Sequence, residues 1–233
     1  MMEPGTGQPA PISHNGSNLE KPHVAPVQTI TVIDHAIARH ALTALRNRHT
    51  TPEQFRVCSN QLIVLLALEA TRTLPTRDRP VETMSGPGVG QALGKTVIFL
   101  SLTRHGLGLA HQVADFIPNV VIGTISVEPG DNGRNPESRL HLPNAPALDD
   151  VRVILFDPIV STGLSASLAL DLLRRTGASD IALISFLVSS VGLERLQAAR
   201  PDLTVWTAAI DTERDSKRCA IPSLGDFGER LYG

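Results

Sequence analysis

Short apolar runs alternate with helix-like stretches along the second half of the chain. Apolar and β-branched residues predict strands over 96–102, 120–127, 151–156, 181–188 and 203–210. Helical periodicity lies between several of them, over 111–116, 166–175 and 192–199. Strands separated by helices predict a parallel sheet with right-handed crossovers. We therefore expect an α/β fold built on an open, mainly parallel sheet flanked by helices.

The start of the chain has a different composition. Residues 1–26 are rich in Pro, Gly, Ser and Asn and carry almost no large apolar side chains. Such a segment buries too little surface to offset the entropy of ordering, so we predict a disordered tail. The remaining residues, 27–233, have a length that suits a single domain.

The pattern between this tail and the first central strand predicts two helices. One covers 30–48 after an extended start, and the other begins at Pro52 with Thr51 as its cap and ends near Thr71. Prolines and glycines over 73–94 indicate a loop or a short hairpin. Further on, the polar residues 128–144 indicate an excursion or flexible hood.

Composition excludes several classes of function. A formal net charge of −2 gives no electrostatic reason to expect binding to nucleic acid or to a membrane surface, and 3% aromatic residues leave few stacking platforms. Cys58 and Cys219 form no CxxC pair, which argues for a reducing compartment and against a zinc site. The sequence contains no run of membrane-spanning length and no signal-peptide core. We expect a soluble, cytoplasmic protein.

Residues 153–166 carry the strongest chemical signal. A predicted buried strand ends at Asp157, a helix follows, and the turn between them contains Ser161, Thr162, Gly163 and Ser165. Such a turn directs backbone N–H groups and hydroxyls to one point beside the positive end of a helix dipole, which suits a phosphate. The acid suits a sugar hydroxyl or a magnesium-bound water. The alternative is an ordinary βα turn with a helix cap.

Three ordered segments carry a family resemblance. Residues 157–165 read Asp-Pro-Ile-Val-Ser-Thr-Gly-Leu-Ser, residues 103–109 read Thr-Arg-His-Gly-Leu-Gly-Leu, and residues 221–233 contain Leu-Gly-Asp-Phe-Gly-Glu-Arg. They resemble the phosphoribosyl-pyrophosphate (PRPP) loop, the Leu-Arg-Ala-Gly-Leu-Gly-Met segment and the C-terminal Leu-Gly-Asp motif of uracil phosphoribosyltransferases, which have the type I phosphoribosyltransferase fold. The likeness extends from about Ile30 to the last residue.

This resemblance implies a reaction and a set of residue roles. Uracil, or a related planar base, would attack the anomeric carbon of PRPP to give UMP and diphosphate, with Mg²⁺ bound through PRPP and no side chain as a direct metal ligand. Catalytic roles are implied for Arg104, Asp157 and Asp226. The same three residues would contact PRPP, together with Pro158, Ile159, Val160, Ser161, Thr162, Gly163, Leu164 and Ser165. The backbone at Ala220, Gly225, Asp226 and Phe227 would contact the base.

The family also implies an assembly. A homodimer or larger homo-oligomer is typical of it, and a GTP-type allosteric effector is compatible with it.

Several positions depart from the family pattern. Leu164 replaces a glycine, which predicts added bulk at the turn and a disfavoured positive φ. Glu128 replaces a diphosphate-binding arginine, with Arg134 and Arg139 as candidate substitutes. Phe227 replaces a small residue, which predicts a reshaped base pocket in which uracil is a poor substrate.

These departures leave more than one function open. The chain is an active uracil phosphoribosyltransferase, or one that has moved to another base. The alternative is a catalytically weak paralogue that senses PRPP or a nucleotide, or that serves as an interaction protein. Taken singly, Arg104, Asp157 and Asp226 each have a structural explanation as a surface residue, a turn cap and an Asp–Gly turn residue.

Overall fold

The computed structural model describes residues 29–129, 136–143, 147–214, 220–221 and 223–233, and the predicted tail, 1–26, lies outside them. The strands in chain order are β1 (Thr29–Val32), β2 (Thr76–Thr83), β3 (Gly86–Leu93), β4 (Thr96–Ser101), β5 (Val121–Pro129), β6 (Pro136–His141), β7 (Val151–Phe156), β8 (Ile159–Val160), β9 (Asp180–Ser189), β10 (Thr204–Asp211), β11 (Glu213–Arg214) and β12 (Ala220–Ile221). The helices are α1 (Ala36–Arg46), α2 (Pro52–Thr71), α3 (Arg104–Ala114), α4 (Leu164–Arg175), α5 (Ser190–Ala199) and α6 (Phe227–Tyr232).

An eight-stranded sheet runs through the centre of the fold. Its order is β1-β10-β9-β7-β4-β5-β6, with the short β8 beside β9. The paired strands are parallel, except that β6 runs antiparallel to β5. Strands β4, β7 and β9 are almost wholly buried, which explains their continuous apolar sequences. The predicted α/β fold with a mainly parallel sheet is confirmed.

Helices cover both faces of this sheet, and each face has its own core. Residues of α1, α2, α3 and α6 contribute to one core, and residues of α4 and α5 to the other. Five phenylalanine rings form a row through the first core, with neighbouring centroids between 5.4 and 5.9 Å apart: Phe55, Phe227, Phe186, Phe156 and Phe99. The row fixes α6 against the strands of the sheet.

Helix α2 begins as its sequence predicts. The Thr51 hydroxyl accepts a hydrogen bond from the Gln54 N–H at 3.3 Å, and the Gln54 side chain accepts one from the Thr51 N–H at 3.4 Å. Pro52 is the first helical residue. This capping box satisfies two of the N–H groups near the start of the helix, where the backbone lacks intrahelical partners.

Helix α3 is longer than the predicted 111–116, because it begins at Arg104. The glycine-rich segment before residue 111 is therefore helical. Its glycines allow close packing: a Cβ atom on Gly106 would lie 2.2 Å from the Ser101 hydroxyl, and one on Gly108 would lie 2.7 Å from the Tyr232 hydroxyl. Tertiary packing outweighs the low helix propensity of glycine here.

Three further segments contain more regular structure than predicted. Residues 73–94 contain a long antiparallel hairpin, β2–β3, with eight paired residues on each strand. The predicted hood contains β6, while its residues 130–135 and 144 lie outside the described residues. The C-terminal segment, for which no helix was predicted, ends in α6.

Candidate active site

The carboxyl ends of β4 and β7 lie side by side where the strand order reverses. After β4 the chain continues to β5 on one side, whereas β7, β9 and β10 lie on the other. Ser101 pairs in register with Phe156, and the Leu102 N–H donates to the Phe156 carbonyl at 2.8 Å. Open α/β sheets bind ligands at such a switch point. The fold therefore brings the backbone of Arg104 and the side chain of Asp157 to one edge.

Asp157 is a buried carboxyl group at this edge. It is 9% exposed, and a backbone hydrogen bond from Ile159 reaches its side chain. Burial raises the pKa of Asp157 to about 7, and the Ile159 hydrogen bond offsets only part of that increase. Among the described side chains no ion pair neutralises it. Ligand hydroxyls or a cation would relieve this desolvation.

The turn after Asp157 is fixed to β9 by backbone hydrogen bonds. The Pro158 carbonyl accepts hydrogen bonds from the N–H groups of Phe186 and Leu187 at 3.1 and 3.3 Å. Residues 159–160 then form β8, which pairs with β9. The turn is therefore an extension of the sheet rather than a free loop.

Ser189 secures the next residue of the turn, and sequence reasoning missed it. Its hydroxyl donates to the Ser161 carbonyl and accepts from the Gly192 N–H at 3.0 Å, so one side chain both caps α5 and holds the turn. A serine at the end of a predicted strand and before a helix is an N-cap signal that could have identified it.

Gly163 supplies the left-handed residue of the turn, with φ of 70°. Leu164 follows as the first residue of α4, half-exposed at 47%. Asn119 is the sole non-glycine residue with positive φ in the described part of the chain, so Leu164 avoids the positive φ that a leucine disfavours. The glycine that the conformation requires is present one position earlier.

The N-terminus of α4 is open to an anion. Among the six α-helices in the described residues, α4 alone has an N-cap residue that makes no side-chain hydrogen bond, because that residue is Gly163. The Thr162 hydroxyl accepts a hydrogen bond from the Leu164 N–H at 3.4 Å, and Ser165 is exposed beside it. The N–H groups of Ser165 and Ala166 lack intrahelical partners and lie at the positive end of the helix dipole, an arrangement that favours an anion.

Arg104 occupies the first position of α3, and the description of this residue is confined to its backbone. The preceding residue, Thr103, caps the helix by accepting a hydrogen bond from the Gly106 N–H at 3.2 Å, while the Thr103 carbonyl accepts from the Ser101 hydroxyl at 2.5 Å. These bonds fix the backbone between the end of β4 and Arg104.

The C-terminal candidates lie around the start of α6. Gly225 has φ of 72°, and the exposed Asp226 caps α6 by accepting a hydrogen bond from the Glu229 N–H at 3.0 Å. Ala220 pairs with Arg214 between β12 and β11. The hydrogen bond of Asp226 thus stays within α6, and contact with the sheet comes from its neighbour Phe227.

Phe227 differs from its expected place in a base pocket. Its ring is 7% exposed and lies 5.5 Å from the Phe55 ring and 5.7 Å from the Phe186 ring. The amphipathic helix α6 buries Phe227 and Leu231 on one face, so the ring belongs to the core and its backbone remains the part that can face a base. The structural reason for a reshaped pocket at this position is therefore removed.

Glu128 and the two arginines that were candidates for a second diphosphate contact lie in different places. Glu128 is exposed near the end of β5. Arg139 lies on β6, where it is exposed and pairs with Glu137 at 3.4 Å. Arg134 lies outside the described residues.

No group of three or more His, Cys, Asp or Glu side chains in the described residues could hold a metal ion. None of the helices described has both the length and the apolar character that crossing a membrane requires.

Comparison with known proteins decides the family. The family model for uracil phosphoribosyltransferase matches residues 32–233. The chain belongs to the uracil phosphoribosyltransferase family. It is 34% identical to the uracil phosphoribosyltransferase of Caulobacter sp. (strain K31), over 89% of this chain and 99% of that protein. It is 35% identical to the enzyme of that name from Thermus thermophilus, over 88% and 98% of the two chains.

A solved structure agrees at the level of the fold. The AQ2163 protein from Aquifex aeolicus superposes with a TM-score of 0.78 at 23% identity, covering 88% of this chain and 98% of the other. The family assignment and the fold make this chain an enzyme of the phosphoribosyltransferase class. The alternative of a catalytically weak sensor or interaction protein finds no support in these comparisons.

Proposed function

We propose that this enzyme transfers the phosphoribosyl group of PRPP to uracil, giving UMP and diphosphate in pyrimidine salvage. The observation that carries the proposal is that the buried carboxyl group of Asp157 and the N-terminus of α4, whose N-cap residue is a glycine, lie together at the switch point of the sheet. A ligand with a phosphate at one end and ribose hydroxyls at the other fits both features. The uracil-specific names of the relatives at 34–35% identity support the choice of base.

The chemistry asks the protein for positioning and charge neutralisation. The bond from the anomeric carbon to the diphosphate breaks through an oxocarbenium-like sugar as the base nitrogen attacks, so the barrier falls when reactants are aligned and developing charge is stabilised. The turn 158–165 holds the 5′-phosphate through its amides and hydroxyls. Asp157 holds the ribose hydroxyls, and Arg104 neutralises the departing diphosphate with a bidentate guanidinium.

The base side is formed by backbone groups. Ala220 and the residues Gly225–Asp226–Phe227 contact the carbonyl-rich edge of the base through N–H and C=O groups, and Asp226 lies between the base and PRPP. Because the Phe227 ring is in the core, these contacts are compatible with uracil itself.

Magnesium fits this site as an ion carried by the substrate. The described residues contain no cluster of metal ligands and offer the buried carboxylate of Asp157 beside the turn, and Mg²⁺ typically binds through one or two carboxylates plus substrate phosphates. When bound, the ion supplies positive charge to the diphosphate. The homo-oligomer and the GTP-type effector implied by the family stay predictions.

A base panel tests the proposal. The enzyme is incubated with PRPP, Mg²⁺ and either uracil, 5-substituted uracils, cytosine, hypoxanthine or adenine, and nucleotide and diphosphate are both quantified. We expect UMP to form with a kcat/KM of about 10⁴ M⁻¹s⁻¹ or more, and no other base to exceed uracil. Diphosphate release with none of these bases, or faster use of another base, contradicts the proposal.

A further inference from the structure

A partly buried ion pair joins the end of α1 to the end of β10, on residues that the proposed site does not include. The Arg46 guanidinium contacts the Asp211 carboxylate at 2.6 Å, and the two side chains are 26% and 5% exposed. Arg46 Nε and Asp211 Oδ2 are buried without a hydrogen-bond partner among the described residues. Burying such a pair costs desolvation that its attraction often fails to recover, so the pair is weak evidence for stability alone.

The position of Asp211 indicates what this pair does. Asp211 ends β10 and pairs in register with Ser189, the residue whose hydroxyl holds the turn after Asp157. Two residues later the chain enters β11, which pairs with β12 through Arg214 and Ala220. Arg46 therefore fixes Asp211, just before β11, and through it the β11–β12 pair that contains Ala220.

A second arginine holds the other end of the same region. Arg230 donates hydrogen bonds to the Leu224 carbonyl at 2.8 Å, to the Asn47 carbonyl at 2.7 Å and to the Leu45 carbonyl. Its guanidinium also lies 4.3 Å from the centroid of the Phe55 ring. Leu224 directly precedes Gly225 and Asp226, so this arginine fixes the turn that presents the remaining base contacts.

Both arginine contacts meet at the C-terminus of α1. The last carbonyl groups of a helix lack intrahelical partners and carry the negative end of the dipole, so they attract a guanidinium. Residues 45–47 thus bind Asp211 through a side chain and Arg230 through two carbonyls. We call these three residues, with Asp211 and Arg230, the α1 clamp.

We propose that the α1 clamp positions the base-binding backbone at Ala220 and Gly225–Asp226–Phe227, so that Arg46 and Asp211 are positioning residues for base recognition. This inference rests on the proposed function. The turn after Asp157 is held by hydrogen bonds from β9 and from Ser189, and Asp211 meets Ser189 through strand pairing rather than through the carboxylate that contacts Arg46. Loosening the clamp should therefore affect the base more than PRPP.

Steady-state kinetics on the full chain test this separation. In Arg46→Gln, in Asp211→Asn and in the double variant we expect the KM for uracil to rise about tenfold and the KM for PRPP to stay within about twofold. The double variant should be no worse than the more impaired single variant, because both act through one contact. Arg46→Lys keeps the charge and should recover part of the loss.

The matched control breaks another ion pair, one whose basic side chain is about as exposed as that of Arg46. Lys95 is 28% exposed and pairs with Asp180 at 3.2 Å near the opposite end of the strands. In Lys95→Gln both KM values should be unchanged. An unchanged KM for uracil in folded Arg46→Gln, or an equal rise of both KM values, overturns the proposal; if Arg46→Gln fails to fold, Arg46→Lys carries the same test.

A second measurement tests the α1 clamp independently of the proposed function. Hydrogen exchange of the amides in β11 and β12 needs no turnover, and we expect it to accelerate in Arg46→Gln but not in Lys95→Gln. If the wild-type protein uses no base yet this exchange accelerates, the proposed function fails and the structural part of the clamp stands. Unchanged exchange overturns the clamp itself.

Discussion

Gly163 approaches Gly192 so closely that a Cβ atom on Gly163 would lie 2.7 Å from the Gly192 carbonyl oxygen. This contact joins the start of α4 to the first turn of α5. A Cβ atom on Gly192 would in turn lie 2.9 Å from the Ser161 carbonyl oxygen. The phosphate turn therefore has its shape because neither glycine carries a side chain.

Gly163→Ala should both destabilise the protein and abolish tight PRPP binding. The added methyl meets backbone and the residue must keep a positive φ, so we expect a loss of about 2–4 kcal/mol in the free energy of unfolding. Gly177→Ala is the matched control, since Gly177 also has positive φ, 90°, with nothing within 4 Å of its Cβ position. It should cost about 1–2 kcal/mol and leave PRPP affinity unchanged. Denaturation and calorimetric titration measure both; equal effects on PRPP would refute the close-approach argument.

Asp157→Asn should stabilise the unliganded protein at high pH. The pKa of Asp157 rises from 3.8 to about 7 in the folded state, so the folded form binds the proton more tightly and the free energy of unfolding falls as pH rises from about 4 to about 7. Asparagine has no such ionisation. The variant should gain up to about 4 kcal/mol at pH 8 and almost nothing at pH 4, by thermal or chemical unfolding.

The same substitution should weaken PRPP binding about tenfold or more, because a charge-assisted acceptor for the ribose hydroxyls is lost. Asp149→Asn is the control: Asp149 is exposed just before the same strand, at its other end. Titration with PRPP and Mg²⁺ at pH 8 compares the two. Undiminished affinity in folded Asp157→Asn would remove this residue from the site.

Leu164→Gly, which introduces the residue typical of the family, should bring no gain. Leu164 is already helical and half-exposed, so we expect PRPP affinity within about twofold of wild type and a stability loss of about 1 kcal/mol or less. A large increase in PRPP affinity would show that leucine obstructs the turn after all.

Ser189→Ala should loosen the turn at residues 158–165, because it removes the hydrogen bond to the Ser161 carbonyl. It removes a hydroxyl that bonds the Ser161 carbonyl and the Gly192 N–H, which should cost about 1–3 kcal/mol and raise the KM for PRPP. Thr207→Val removes another buried hydroxyl, one that donates to the Ala209 carbonyl at 2.9 Å on β10. A comparable loss of stability with unchanged KM is expected there. If both variants raise the KM for PRPP equally, Ser189 has no special role.

Sequence reasoning predicted the central strands and the strand–turn–helix unit around Asp157 because their signals are local. The apolar run before Asp157 and the capping residues Thr51 and Pro52 lie within a few positions of the features they determine. The early start of α3 was missed for the opposite reason. Gly106 and Gly108 look like helix breakers, but they allow close contacts with Phe156 and Tyr232, which are far away in the sequence.

The base side of the site depends even more on distant contacts. Nothing near Phe227 in the sequence indicates that its ring joins Phe55 and Phe186 in the core. The partners of Arg46 and Arg230 lie 165 and 185 positions away. Arginine spacing alone could not predict these pairs, because their geometry follows from the assembled sheet and helices.

The β2–β3 hairpin offers a place to modify the enzyme without touching its chemistry. All residues of β2 are exposed, Met84 at the tip is fully so, and Gly86 has open space around its Cβ position. A two-stranded hairpin of this kind contributes little to the stability of the core, and it can unfold locally while the rest of the domain stays folded. A short epitope or a fluorescent label inserted at the Met84–Ser85 tip should therefore be carried without loss of turnover, giving a tagged enzyme for single-molecule work.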